Sequence, residues 1–242
     1  MGVTRLYIDL ELACGADLRL SEVAAHHVRK VLRLKRGDPV EVFNGRVCCS
    51  AELTLVARDG VEIRVGEQIL EATPPPLAIT LVQSISKGER MDFCLQKAVE
   101  LGVHEIVPVT SSRTVVRLDG DRLQRRVAHW RGVIRHAAEQ SGRISLPSIH
   151  AVRSLADWLT TGVQKPCWLL NPEAPHSLAS QPDPGAQATI ISGPEGGFAA
   201  EEVAHMLENG VRPVHLGPRI LRTETAAIAA LSVCQSLWGD LK

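Results

Sequence analysis

Aromatic side chains are scarce in this chain: one tyrosine, three phenylalanines and four tryptophans in 242 residues. The core must therefore be built from Leu, Val, Ile and Ala, the side chains that fill covered sheets and the helices packed on them. The six cysteines (14, 48, 49, 94, 167 and 234) contain no C-x-x-C pair. That spacing argues against a disulfide framework and against a zinc site, and a reducing cytoplasmic setting is expected. No apolar run approaches the roughly 20 residues that a bilayer span needs, and no signal-peptide pattern is present. An excess of one charge is missing too. Twenty-seven Lys and Arg balance 27 Asp and Glu, which excludes a generally basic nucleic-acid binder. Familiar catalytic signatures are also absent. There is no G-x-G-x-x-G, no G-x-x-x-x-G-K-[ST], no G-x-S-x-G and no H-E-x-x-H, and the nine histidines lack metal-ligand spacing. No metal is expected.

What is present is concentrated between Thr189 and Ala227. An apolar strand around Ile190 and Ile191 runs into Gly193-Pro194-Glu195-Gly196-Gly197, and a second around Val214 and Leu216 runs into Gly217–Arg222, which opens the last helix. Strand, glycine loop, helix is how a parallel α/β sheet presents backbone N–H groups at the carboxyl ends of its strands. Two such loops so close in sequence can wall one pocket. The second also carries Arg219, Arg222, Thr223 and Glu224, which a mere connection does not need. The stretch is read as a ligand site.

Residues 1–72 read as strands with one helix, which Ser21 caps and which runs to about Leu34. Ala24, Val28, Val31 and Leu32 are expected on one face, and His26, Arg29, Lys30 and Arg33 on the other. That basic face is either a solvated helix side or an RNA contact. Val40–Phe43, Asn44-Gly45 and Val47 onward form a predicted hairpin. The proline run 74–76 marks a boundary, after which Leu77–Val82 is continuously apolar, as in a parallel strand covered on both sides. A helix over Gly88–Leu101 and a strand at Ile106–Val109 complete a βαβ unit. The last helix, Thr223–Trp238, is apolar on most sides, so it is either sandwiched in the core or covered by a second subunit.

Charge is unevenly distributed. Residues 84–153 hold 12 Lys and Arg against 7 Asp and Glu, whereas 154–242 hold 5 against 9. Arg113, Arg117, Arg122, Arg125, Arg126, Arg131, Arg135 and Arg143 face only Asp119, Asp121 and Glu139 between them. Arginine without lysine suits phosphate forks and base stacking, so this segment is read as a nucleic-acid surface.

These features together resemble the RsmE family of the SPOUT superfamily, bacterial methyltransferases of N3 of a uridine in 16S ribosomal RNA. The resemblance spans nearly the whole chain. It lies in Arg5–Ile8, His27–Arg33 with Gly37-Asp38, Lys97–Val103 and Glu139–Arg143, and most specifically in Gly193–Phe198 and Leu216–Ala226. It implies a PUA-like β-barrel RNA-binding domain at 1–72. From 73 to 242 it implies a SPOUT α/β domain with a parallel sheet, a trefoil knot, an S-adenosyl-L-methionine pocket and a homodimer interface. Backbone at Leu170, Asn171, Gly193, Pro194, Glu195, Gly196, Gly197, Leu216, Gly217, Ile220, Leu221 and Thr223 would hold the cofactor. Arg222 would stabilise a uracil anion, while Glu224, Glu195 or bulk water would take its proton. RNA contacts are expected from Arg5, His27, Arg29, Lys30, Arg33, Arg113, Arg125 and Arg143. Methylation of tRNA or a ribose hydroxyl, and a non-catalytic assembly factor, stand as alternatives.

Overall fold

Prolines 74–76 have no amide hydrogen to offer a helix or a sheet, and the chain divides at Pro74 and Pro75. A computed structural model describes residues 3–114 and 120–242; Arg117 and Asp119 of the arginine-rich segment lie outside them. One unit comprises 1–74 together with Ala138–Leu146, a segment the sequence does not place there. The other comprises 75–137 and 147–242.

The first unit is a five-stranded sheet built from β1 (Thr4–Tyr7), β2 (Asp17–Arg19), β3 (Pro39–Phe43), β4 (Val47–Ala57) and β5 (Gly60–Glu71), in the order β1-β3-β4-β5-β2. β1 and β3 are parallel, and the other pairs are antiparallel. Asn44 makes the β3–β4 turn, its carboxamide oxygen accepting the amides of Arg46 and Val47. Leu6, Val40, Val42, Leu53, Ile63 and Val65 fill the core with Ala25 and Val28. Each such side chain removed from water stabilises the fold by roughly 1.5–3 kcal/mol.

The helix of this unit departs from the expected pattern. Only Glu22–His26 (α1) is α-helical, and His27–Leu32 widens into a π-helical turn that ends at Arg33 with φ 54°. A wider turn shifts every later side chain around the axis. Val31, expected in the core, is consequently 61% exposed.

The second unit is a parallel sheet, as the apolar runs predict. Its strands are β6 (Ala78–Ser84), β7 (Glu105–Thr110), β8 (Ser148–Ile149), β9 (Arg153–Ser154), β10 (Cys167–Leu170), β11 (Gln187–Ser192) and β12 (Arg212–Val214). The order is β12-β10-β11-β6-β7-β8, with β9 also on β7. The helices are α2 (Glu89–Glu100), α3 (Gly120–Ser141, the second unit's share ending at Ala137), α4 (Leu155–Thr160), α5 (Ala200–Glu208) and α6 (Thr223–Trp238). β6 and β11 are central and almost wholly buried. α6 packs on α2, β6 and β11, burying Ala227, Ala230, Leu231 and Cys234. Among the described residues, no helix is long and apolar enough to cross a membrane.

Candidate active site

At the carboxyl ends of β10, β11 and β12 the chain makes three loops that converge on one cleft of about 940 Å³. Leu170, Asn171 and Pro172 form one wall. Gly193, Pro194, Glu195 and Gly197 form a second, and Leu216, Gly217 and Ile220 to Thr223 form a third. Neighbouring parallel strands end in the same layer, which is why loops distant in sequence meet here. Gly197 has φ 68°, a left-handed conformation that a side chain resists. Gly193 is constrained differently: a Cβ there would lie 3.1 Å from the Phe198 ring.

Hydrogen bonds fix the loops to one another. The Thr223 hydroxyl donates to the Gly193 carbonyl at 2.5 Å. Arg113 donates to the Gly196 carbonyl at 3.0 Å, and Arg90, from the first turn of α2, meets Glu195 at 3.0 Å. Glu202 of α5 accepts from Ser112 and from the Ala199 amide, holding the segment before Arg113 against the start of α5. Partial burial alone would raise the Glu195 carboxyl. Amide donors from Glu195 itself and Lys87, with the Arg90 guanidinium, outweigh that and hold it below the usual carboxylate range. A half-exposed pair of this kind adds about 0–1 kcal/mol to stability, so its consequence is loop placement.

The cleft brings together most of the expected pocket residues, with two corrections. Gly196 is not on the wall; its carbonyl faces Arg113, and a Cβ there would meet only ordinary contact at 3.8 Å. Glu224 is not on the wall either. It is 8% exposed in the first turn of α6, where its carboxylate adds to the burial that pushes the Cys94 thiol up, so a role as general base toward a cleft ligand does not fit its position. Glu195 does line the cleft, but as a carboxylate engaged by Arg90 it is a poor proton acceptor. Four arginines line the cleft: Arg90, Arg113, Arg219 and Arg222. The first two are engaged as described. Among the described residues, the guanidiniums of Arg219 and Arg222 have no partner, which leaves both for a ligand.

The expected RNA contacts fare unevenly. Arg5 donates to Glu41 at 3.2 Å, sits 4.7 Å from the centre of the Phe43 ring and reaches the Ala138 carbonyl, so its guanidinium is occupied within the first unit. Arg29 is likewise tied to the carbonyls of Ala25, Ala57 and Arg58. Both corrections share a cause: a buried or half-buried arginine with carbonyls in reach satisfies itself internally. Lys30 and Arg33 are exposed, and Arg33 ends the helix instead of continuing its basic face. His27 and Arg143 are half-buried and make interactions of their own. Arg125 is exposed on α3, its Nε donating to the Asp121 carbonyl.

A parallel sheet with a cleft at its strand ends, walled by two glycine loops and, among the described residues, two unpaired arginines, defines an α/β ligand-binding site. Residues 73–235 match the model of the RNA methyltransferase domain family. Ribosomal RNA small subunit methyltransferase E of Buchnera aphidicola (strain Sg) is 32% identical, over 99% of this chain and 98% of the relative. Its counterpart from Bacillus subtilis is 31% identical, over 86% and 85%. The fold also matches a methyltransferase from Legionella pneumophila solved with its cofactor S-adenosylmethionine, with TM-score 0.95, 36% identity and full coverage of both chains. The small subunit methyltransferase E of Neisseria gonorrhoeae, bound to the same molecule, gives 0.93 and 36%, again over both full chains. The chain belongs to the ribosomal RNA small subunit methyltransferase E family, and is an RNA methyltransferase.

Proposed function

We propose that the chain methylates N3 of a uridine in 16S ribosomal RNA, with S-adenosyl-L-methionine as the methyl donor. The cleft carries this reading: two glycine loops and apolar walls, with the Arg222 guanidinium unpaired among the described residues, in a chain 36% identical over its full length to two proteins solved with that molecule. The residues fit such a cofactor. Leu170, Leu216, Ile220 and Leu221 offer apolar surface for a base, and bare main chain at Gly193 and Gly197 can come close to the rest. When bound, S-adenosylmethionine supplies an already activated methyl group, so the chain needs no nucleophile of its own.

The protein's part is positioning and charge. Arg222 stands at the N-cap of α6, where it stabilises the anion left when uracil N3 gives up its proton. With Glu224 off the cleft and Glu195 engaged by Arg90, that proton leaves to solvent. Arg219, unpaired among the described residues, sits on the same cleft and would meet the nucleotide's phosphates, while Arg113 beside it holds the Gly196 carbonyl. In this reading residues 1–72 are a PUA-like module offering Lys30 and Arg33 to RNA, and 73–242 are a SPOUT domain. Three features support a trefoil knot in the latter: β12 lies outside β10, the chain then returns to α6, and Thr223 is bonded to Gly193. In this reading the protein works in the cytoplasm, where its ribosomal substrate is.

Mass mapping of 16S ribosomal RNA from a deletion strain tests the function. One uridine should lose a methyl group carried at N3 in the parent strain, and a lesion at a ribose or in tRNA would overturn the assignment. The reading also includes a homodimer, because α6 leaves Leu237 exposed and Ile228, Ala229 and Val233 only partly covered. Light scattering should return twice the chain mass of 26.3 kDa. A monomer mass at micromolar concentration would refute the pairing.

A further inference from the structure

Gln83, on central strand β6, is fully buried although nothing about its side chain suits an apolar sheet. It is paired in register with Ser192 of β11, the residue before the first glycine loop. Its amide nitrogen donates twice, to the Ser84 carbonyl at 2.9 Å and to the Thr223 hydroxyl at 3.0 Å. Its oxygen lies 3.4 Å from the Cys94 sulfur. Burial, with the nearby Glu224 carboxylate, pushes the Cys94 thiol up to about 12, so it remains a protonated donor. Only one orientation of the amide works. Turned over, it would set its oxygen against the Ser84 carbonyl and its nitrogen against the thiol hydrogen.

Thr223 is the hinge of this arrangement. Its single hydroxyl hydrogen goes to the Gly193 carbonyl, so toward Gln83 it can only accept. Ser192 closes the set, its hydroxyl 3.3 Å from the Thr223 hydroxyl and 3.2 Å from the Thr223 carbonyl. The two cleft walls, one ending β11 and the other opening α6, are thus joined through a threonine whose orientation a glutamine on a third element dictates.

We propose that Gln83 is a positioning residue for cofactor binding, fixing Thr223 and through it the spacing of the Gly193 loop and the start of α6. Gln83 lies off the cleft wall, whereas Thr223 lies on it, so its effect is exerted through Thr223. The inference rests on the reading of the cleft as an S-adenosylmethionine site.

The test is calorimetric titration of the full-length wild type, Gln83→Met, Gln83→Glu, Thr223→Val and the Gln83→Met, Thr223→Val double variant with S-adenosylmethionine, with a thermal melt of each. Gln83→Met should weaken binding about tenfold, as loss of a buried donor does, and Gln83→Glu should weaken it further because a carboxylate faces the Ser84 carbonyl. Adding Gln83→Met to Thr223→Val should cost little more than Thr223→Val alone, since Thr223→Val already removes the hydroxyl through which Gln83 acts. At saturating cofactor the turnover number of Gln83→Met should stay near wild type while the apparent KM for the cofactor rises; a purely structural role would lower both the melt and the active fraction at constant Kd. Additive losses, or a Gln83→Met affinity within twofold of wild type, would overturn the proposal. Should the Gln83 variants fail to fold, Thr223→Val with wild-type affinity would overturn it equally. No binding by the wild type would instead overturn the reading of the cleft.

Discussion

Arg222→Ala is expected to slow methyl transfer by about 100- to 1,000-fold while S-adenosylmethionine affinity stays within a few-fold of wild type. The charge on uracil N3 exists only once its proton has gone, so a donor aimed at it acts on the transition state more than on the ground state. Arg222 is suited to this because, among the described residues, its guanidinium has no other partner, whereas Arg90 is held by Glu195 and Arg113 by the Gly196 carbonyl. Its backbone is fixed as the N-cap of α6, which contributes no side-chain cap of its own. Arg222→Lys should recover part of the loss: it keeps the charge but not the planar fork. Single-turnover rates with saturating cofactor and small-subunit particles measure this directly. A loss below tenfold would move the role to Arg219, the other unpaired guanidinium on the cleft.

The parallel sheet was legible because Leu77–Val82 and the segment around Ile190 are apolar without alternation, and only a doubly covered strand tolerates that. The two loops were legible because glycines after such strands have few other uses. Less could be read from the basic residues. A sequence shows that Arg5 and Arg29 are cationic, but not that Glu41 and the Ala57 carbonyl stand within reach of them. The π-helical turn at His27–Leu32 escaped for a related reason: its residues are ordinary helix formers, and only backbone geometry reveals the added width. Glu224 sits in a motif full of cleft residues, yet helical periodicity turns it inward to Cys94 while Arg222 and Thr223 face the cleft. Gln83 was not singled out at all, because a polar residue after the apolar run Leu77–Val82 is ordinary in a sequence, and only the fold sets Thr223 3.0 Å from it.

Gly193→Val should reduce S-adenosylmethionine affinity by more than 100-fold, the largest binding loss expected from a single change in the cleft. The added Cβ would stand 3.1 Å and 3.2 Å from two carbons of the Phe198 ring, closer than such atoms normally approach. Neither side can yield easily. Phe198 packs on the core formed by Val82, Val107, Leu169, Ile191 and Met206, and the Gly193 carbonyl is held by the Thr223 hydroxyl. Relief therefore comes from pushing the glycine loop into the space a ligand needs, and overpacking of this kind costs about 1–3 kcal/mol in stability as well. Gly196→Val is the matched control. A Cβ there meets Arg113 only at 3.8 Å, an ordinary contact, so affinity should fall far less despite the same added bulk two residues beyond Pro194. Calorimetry on both variants, with thermal melts to confirm that each is folded, separates the two positions. Equal losses at Gly193 and Gly196 would mean that loop flexibility, and not the space beside Phe198, governs the pocket; wild-type affinity in Gly193→Val would show that the cofactor does not touch this wall at all.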